Sequence, residues 1–201
     1  MKKIQWIVIG LGLLSILAYG ISSLEFENTS IDYAGSIALK RAEIERFFKR
    51  SPESPVKNIK DFPGLDFYPP DINYKIEVSL ELLPSPENIM ISTGKSKPEN
   101  YLKFAWANFE LKGKKHRLLL LKQNLQDPFL FLAFSDLTSG KATYGGGRYL
   151  NIPYQNGQKS AVLDFNLAYH PYCVYNPDYV CPLPPAENHL AVAVEAGERL
   201  K

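Results

Sequence analysis

The segment Tyr74-Lys-Ile-Glu-Val-Ser-Leu-Glu-Leu82 alternates strictly between apolar and polar side chains. Successive side chains of a β-strand point to opposite faces of its sheet, so the alternation predicts a strand with one buried and one solvated face. Further segments of strand character follow, divided by glycine, proline or polar turns: residues 88–93, 101–111, 116–122, 129–134, 142–152, 160–165 and 190–195. No helix-length periodic segment separates them, which excludes parallel βαβ units. The sequence predicts a mainly β fold, an antiparallel β-barrel or barrel-like sandwich of about eight strands.

One segment before these strands has helical periodicity. An apolar stripe with spacings of four, three, four and three residues runs from Tyr33 to Phe47, and predicts one amphipathic helix over residues 36–50. The proline-containing stretch at residues 51–55 ends it. The helix either packs against the β domain or forms a stalk that holds the domain away from a membrane. We favour the first interpretation.

The N-terminus has the layout of a secretory signal. Lys2 and Lys3 precede an apolar run over residues 4–21, in which Ala18 and Gly20 supply the small side chains needed for cleavage after Gly20. The run is also long enough to remain as an uncleaved apolar anchor helix in the membrane. Either form predicts export, to the periplasm or the outer face of the cytoplasmic membrane. The predicted organisation is a signal peptide or anchor (1–23), a spacer with the amphipathic helix (24–57) and the β domain (58–201).

The composition is that of an ordinary globular protein, with 45% hydrophobic and 22% charged residues among 201. Its 23 basic and 21 acidic side chains give a formal charge of +2. Without the first twenty residues, which contain Lys2 and Lys3 and no acid, 21 of each sign remain. A neutral domain has no general attraction for nucleic acid or anionic lipid, so we predict no nucleic-acid partner, and no cofactor.

The most distinctive motifs lie between residues 136 and 198. They are Asp136-Leu-Thr-Ser-Gly140, Thr143-Tyr-Gly-Gly-Gly-Arg-Tyr-Leu150, Leu163-Asp-Phe-Asn166, Ala168-Tyr-His-Pro-Tyr-Cys173, Cys181-Pro-Leu-Pro-Pro185 and Glu195-Ala-Gly-Glu198. With the upstream block at residues 62–69, this string resembles the domain of unknown function 1684 family of bacterial and archaeal proteins, over roughly residues 40–200. The family has no assigned reaction, so the resemblance indicates which region to search for a functional site but implies no particular chemistry. Family members more often have Asn where this chain has His170, which counts against a mechanism that depends on His170.

Three features of this region suggest one binding site. A glycine run ends at Arg148, Asp164 and Asn166 share one face of a predicted strand, and tyrosines are spaced along the proline-rich loop at residues 169–181. We expect these segments to converge on a small polar ligand, because such sites combine an aromatic lining with a few fixed polar groups. The predicted ligand-binding residues are Tyr144, Arg148, Asp164, Asn166, Tyr169 and Tyr172.

Each of these residues has a predicted role and a structural alternative. Arg148 would hold an anionic or carbonyl group, Asp164 would orient Arg148 or accept a hydroxyl proton, and Asn166 would add a donor and an acceptor. Alternatively, the glycines form a bend, Arg148 and Asp164 form an ion pair between two strands, and the tyrosines pack their loop onto the sheet. Both interpretations place Arg148 beside Asp164.

Cys173 and Cys181 are the two cysteines of the chain, separated by seven residues. We predict that they form a disulfide, because an exported protein meets an oxidising compartment. The alternatives are two reduced thiols in the interior, a zinc site completed by His170 and His189, and a cysteine nucleophile. The spacing of these four residues matches no standard zinc module, so no metal ligand is assigned.

Two classes of function remain open at the level of sequence. The chain contains no Gly-x-Ser-x-Gly, His-Glu-x-x-His, Cys-x-x-Cys or Rossmann glycine pattern, so no catalytic residue is assigned. We favour a non-catalytic envelope protein that binds a small glycan-like or otherwise polar ligand. The alternative is a hydrolase-like enzyme that uses Asp164 and Arg148, with or without a cysteine-bound metal.

Overall fold

A computed structural model describes residues 32–94 and 97–201 of the chain, so the predicted signal or anchor segment lies outside the described residues. The described chain begins in helix α1, which covers residues 32–50. Nine strands follow: β1 Asp66–Phe67, β2 Lys75–Ile91, β3 Glu99–Leu111, β4 Lys114–Lys122, β5 Phe129–Asp136, β6 Arg148–Pro153, β7 Ser160–Asp164, β8 His189–Leu190 and β9 Glu198–Arg199. Within the described residues, no helix is both long and apolar enough to cross a bilayer.

The strands form one curled antiparallel sheet with two small additions. Its order is β6-β5-β4-β3-β2-β7, β8 adds to β5 in parallel, and β1 pairs with β9 in a separate ribbon. Its two end strands, β6 and β7, approach each other with Cα atoms within 8 Å. Tyr149 in β6 also bridges to Tyr169, just beyond β7. The sheet is therefore nearly closed, which confirms the predicted mainly β, antiparallel, barrel-like fold.

The sheet carries apolar side chains on both faces. Inside the curl, Val78 of β2 packs with Leu118 and Leu120 of β4 and with their neighbours on the other strands. Leu119 and Leu121, which alternate with these on β4, point the other way into a second cluster. A strand with four consecutive buried leucines is covered on both faces. The cover of this second face forms the candidate site.

Strand β2 corrects the prediction of two separate strands at residues 74–82 and 88–93. It is a single long strand whose pairing with β3 shifts register between Leu82 and Glu87. Pro84 and Pro86 lie in this irregular stretch, where neither can donate a ladder hydrogen bond. Because β7 pairs with β2 only as far as Ser79, these prolines lie on an edge of the sheet, where they are tolerated.

Two other strand predictions were too long. The strand predicted at residues 142–152 begins only at Arg148, because Gly147 has a φ of +85° and its amide closes a turn onto the carbonyl of Tyr144. A side chain on Gly147 would lie 2.5 Å from the carbonyl oxygen of Phe134, so both the turn and the close approach require glycine. The strand predicted at residues 190–195 is reduced to the two residues of β8, since the following backbone bonds to side chains instead.

Helix α1 packs against the β domain, which is the arrangement that we favoured over a stalk. Its stripe buries Tyr33, Ile37 and Phe48. The guanidinium of Arg41 donates to the carbonyl oxygens of Tyr68 at 2.8 Å and Asn166 at 3.1 Å. Two turns of the helix are thus tied to the loops at one end of the barrel, which fixes the position of its second half.

We expect Tyr33→Phe to loosen this docking. The Tyr33 hydroxyl donates to Asp164 Oδ1 at 2.7 Å, and its burial, together with this carboxylate, raises the pKa of Tyr33, so the phenol remains a neutral donor. Removing the donor from a buried carboxylate should lower the free energy of unfolding by about 1–2 kcal/mol. Urea unfolding measures this, with Tyr179→Phe, an exposed phenol, as the control. Equal stability of the two variants would show that the hydrogen bond does not hold the helix.

Candidate functional site

Arg148 is fully buried and binds the C-terminal segment of the chain. Its Nη2 donates to Asp136 Oδ2 at 2.9 Å and to the carbonyl of Val194 at 2.8 Å, and its Nη1 donates to the carbonyls of Ala196 and Glu198. Neither Arg148 nor Asp136 has any exposed side-chain surface. This guanidinium is committed to protein partners, so it cannot serve as the predicted holder of an anionic ligand.

Asp164 and Asn166 lie at a different place, beneath α1. Asp164 accepts the hydrogen bond from Tyr33 and caps the turn that follows β7, through the amide of Asn166. The side chain of Asn166 accepts from the amide of Asp71 and donates to its carbonyl, both at 2.8 Å. The predicted pairing of Arg148 with Asp164 is therefore wrong, because each residue already has another buried partner. The polar groups of the bend and of the strand end are thus bound to different partners.

The tyrosine-rich loop does cover a cleft, on the outer face of the sheet. The cleft has a volume of about 870 Å³, within the usual range for small-molecule sites. Its floor is formed by β3–β6, one wall by the loop at residues 169–182 and the other by the second half of α1, residues 43–48. Tyr169 and Tyr172, both predicted as site residues, line it.

Aromatic rings in mutual contact form the centre of this cleft. Tyr101 stacks on Phe131 with centroids 5.5 Å apart, and Phe131 meets the ring of Tyr149 at 4.9 Å and an angle of 73°. Tyr149 in turn meets Tyr169 at 5.8 Å and 88°. Strands β3, β5 and β6 thus supply three neighbouring rings and the loop a fourth. Rings that meet nearly at right angles form a concave lining rather than a flat platform.

The phenols of the cleft are neutral hydrogen-bonding groups. Burial raises the pKa of Tyr101, Tyr149 and Tyr172, and raises that of Tyr169 to about 12. The hydroxyl of Tyr169 accepts a hydrogen bond from Asn151 at 3.0 Å. A phenol with a raised pKa stays protonated at neutral pH, so these side chains are hydrogen-bonding groups rather than bases.

Carboxylates account for most of the charge along the cleft. The charged residues that line it are Glu43, Glu99, Lys122, Asp127 and Glu198. The ammonium of Lys122 is turned away from the outer face, towards the rings of Phe104 and Tyr154, and donates to the carbonyl of Asp127 at 2.8 Å. The described part of the lining therefore carries more acidic than basic groups, whereas the sequence predicted a site in which Arg148 holds an anionic or carbonyl group.

Tyr144 and the two cysteines lie in a small pocket of about 70 Å³ beside the cleft. The cysteines are not joined in the structure, but Cys181 Sγ lies 3.2 Å from the amide nitrogen of Cys173, which donates to it. Burial raises the pKa of the Cys181 thiol to about 12, and burial together with the Cys173 thiol raises that of Tyr144. A thiol that stays protonated at neutral pH is a poor nucleophile, which weighs against the cysteine-nucleophile alternative.

The histidines do not assemble the zinc set considered above. His170 is buried, its Nδ1 lies 3.5 Å from Glu198 Oε1, and its Nε2 accepts from the amide of Tyr144 at 3.2 Å. His189 instead contacts Ser135 on β5. In residues 32–94 and 97–201, no group of three or more His, Cys, Asp or Glu side chains is arranged to hold a metal ion. Both ring nitrogens of His170 are occupied, so it holds the loop to β9.

Sequence reasoning missed Asp136 and the rings of the floor. No spacing rule connects Asp136 to Arg148, since a turn of unpredicted shape brings them together. The rings had a usable signal: in Phe129-Leu-Phe-Leu-Ala-Phe134 both alternating faces are apolar, which indicates a strand covered on both sides. Phe131 lies on the outer of these two faces.

A nearly closed antiparallel sheet with an aromatic cleft on its outer face defines this protein as a small β-domain protein with a surface cleft. The sequence profile of the family described as protein of unknown function (DUF1684) matches residues 60–199, and the chain belongs to that family. This confirms the resemblance drawn from the motifs. The chain is also similar to the uncharacterized protein from gene locus rrnAC0354 of Haloarcula marismortui, solved by NMR, with 34% identity and a TM-score of 0.68 over 87% of this chain and 97% of that one. No curated protein matches it.

We expect Arg148→Met to destabilise the fold strongly, because it leaves Asp136 buried without its cation. Losing one partner of a buried pair costs about 3–5 kcal/mol. The matched control is Arg117→Met, which breaks an exposed pair with Glu81 and should cost less than about 1 kcal/mol. Denaturant unfolding of both variants provides the comparison, and similar losses would contradict a structural role for Arg148.

Proposed function

We propose that this protein is an exported cell-envelope protein whose β domain binds a small polar ligand without transforming it. The observation that carries the proposal is the aromatic cleft between α1, the outer face of the sheet and the loop at residues 169–182. Its volume of about 870 Å³ suits a small molecule. Aromatic rings offer large apolar contact, while Asn151, Glu99 and Gln123 provide polar groups along the lining. Such a lining fits a ligand with both an apolar face and polar substituents.

The binding role is favoured over the hydrolase alternative. That alternative required Asp164 and Arg148 to act together, and these residues have separate buried partners, Tyr33 and Asp136. The ring nitrogens of His170 are both engaged, and burial raises the pKa of the Cys181 thiol. The cleft groups that remain are phenols, amides and carboxylates, which suit recognition.

Binding in the cleft predicts a specific effect of Tyr179→Ala. A thermal-shift screen of the full chain against sugars, nucleotides, amino acids, amines and metal ions should identify a ligand by stabilisation. Tyr179 lines the cleft, is 37% exposed and has its ring 5.4 Å from that of Tyr172. Removing this ring should therefore lower the affinity for the ligand by about tenfold and leave the fold intact.

The matched control is Val162→Ala, an exposed apolar residue of β7 that does not line the cleft. It should bind the ligand as the unchanged protein does. Equal affinity of the two variants would show that the ligand binds elsewhere. Chemical conversion of the ligand by the purified protein would contradict a non-catalytic role.

Export and a Cys173–Cys181 disulfide are proposed together. Export rests on Lys2, Lys3 and the apolar run that follows them, and the disulfide on the contact between the Cys173 amide and Cys181 Sγ at 3.2 Å. Cell fractionation should recover the protein outside the cytoplasm. When free thiols are blocked during this preparation, both cysteines should resist alkylation until a reductant is added. Recovery in the cytoplasm would contradict export, and exported protein with free thiols would contradict the disulfide.

A further inference from the structure

The lining of the cleft combines two properties that select a ligand by charge. The first is a run of four aromatic rings, from Tyr101 through Phe131 and Tyr149 to Tyr169, with successive centroids 4.9–5.8 Å apart. Aromatic faces carry negative quadrupole charge, and concave groups of them attract cations, above all quaternary ammonium groups. All four rings belong to the lining of the cavity of about 870 Å³, so a ligand in the cavity lies beside them.

The second property is the sign of the ionised groups around these rings. Among the described residues of the lining, four of the five charged ones are acidic, and the base, Lys122, has its ammonium held on carbonyl oxygens on the far side of β4. Two of the acids are occupied: Asp127 accepts from two backbone amides, and Glu198 accepts from the amide of His170. The remaining two carboxylates of the lining are those of Glu43 on α1 and Glu99 at the start of β3.

We propose that the occupant of this cleft is a small organic cation, an alkylated ammonium with an apolar body, whose charge lies against the rings and is neutralised by Glu99. The inference rests on the proposed function, since it names the ligand class of that cleft. An anion would be repelled by the carboxylates and by the ring faces. A neutral sugar would gain stacking on the rings but no energy from the charge, so the cation should be preferred.

Glu99 is positioned for this role by the backbone. It is the first residue of β3, two residues before Tyr101, so both side chains lie on the same face of the strand. Its Oε2 accepts a hydrogen bond from the Tyr101 hydroxyl at 3.3 Å, which orients the carboxylate beside the ring stack. Its Oε1 is the oxygen that would contact a cation held against the rings.

The test compares choline with its uncharged isostere, in which carbon replaces the quaternary nitrogen, using the full chain. The two probes have the same shape, so their difference isolates the charge. We expect choline to bind at least about tenfold more tightly. In Glu99→Gln this preference should fall about threefold, whereas Glu110→Gln, an exposed acid at the other end of β3, should leave it unchanged. Added salt should lower the affinity for choline and leave the affinity for the isostere unchanged.

The outcomes separate this inference from the proposed function. Equal binding of the two probes, or binding of a neutral sugar that Tyr179→Ala weakens while choline does not bind, would overturn the cation assignment and leave the binding role standing. A preference for choline that Glu99→Gln does not reduce would overturn the role of Glu99. If neither choline, its isostere nor any sugar binds in a manner sensitive to Tyr179→Ala, both the inference and the proposed function fail.

Discussion

The guanidinium of Arg148 joins the parts of this fold that the sheet alone does not connect. It lies at the start of β6 and pairs with Asp136 at the end of β5. It also donates hydrogen bonds to three carbonyl groups within residues 194–198. The last residues of the chain thereby stay out of the barrel sheet, and Glu198–Arg199 pair with β1 as β9. Glu198, held in this way, reaches His170 and fixes the loop that walls the cleft. The geometry of the cleft thus depends on a buried charge that does not touch it.

The barrel itself followed from the sequence because period-two alternation is a local signal. Val78 and Leu80 are buried as the alternation of β2 requires, and the helical stripe from Tyr33 packs on the domain. The points at which the strands begin and end were harder to predict from the sequence. Residues 191–195 are apolar enough for a strand, but Asp136 and Arg148 supply side-chain partners for their backbone, and such long-range competition leaves no trace in a window of neighbouring residues.

The candidate site was only partly predictable, for a related reason. Tyr169 and Tyr172 were found because a tyrosine-rich loop with many prolines is unusual in itself. Arg148 and Asp164 were assigned to each other because two opposite charges on neighbouring strands invite pairing. Their true partners, Asp136 and Tyr33, come from a turn and from a helix whose docking positions are tertiary properties. Charge complementarity in a sequence identifies that a buried ion needs a partner and does not say which one.

Helix α1 supplies one side of the cleft although it precedes the segment, residues 60–199, that defines the family. A ligand that touches Glu43 or Phe47 contacts only the docked helix, so occupancy and docking stabilise each other by the same free energy.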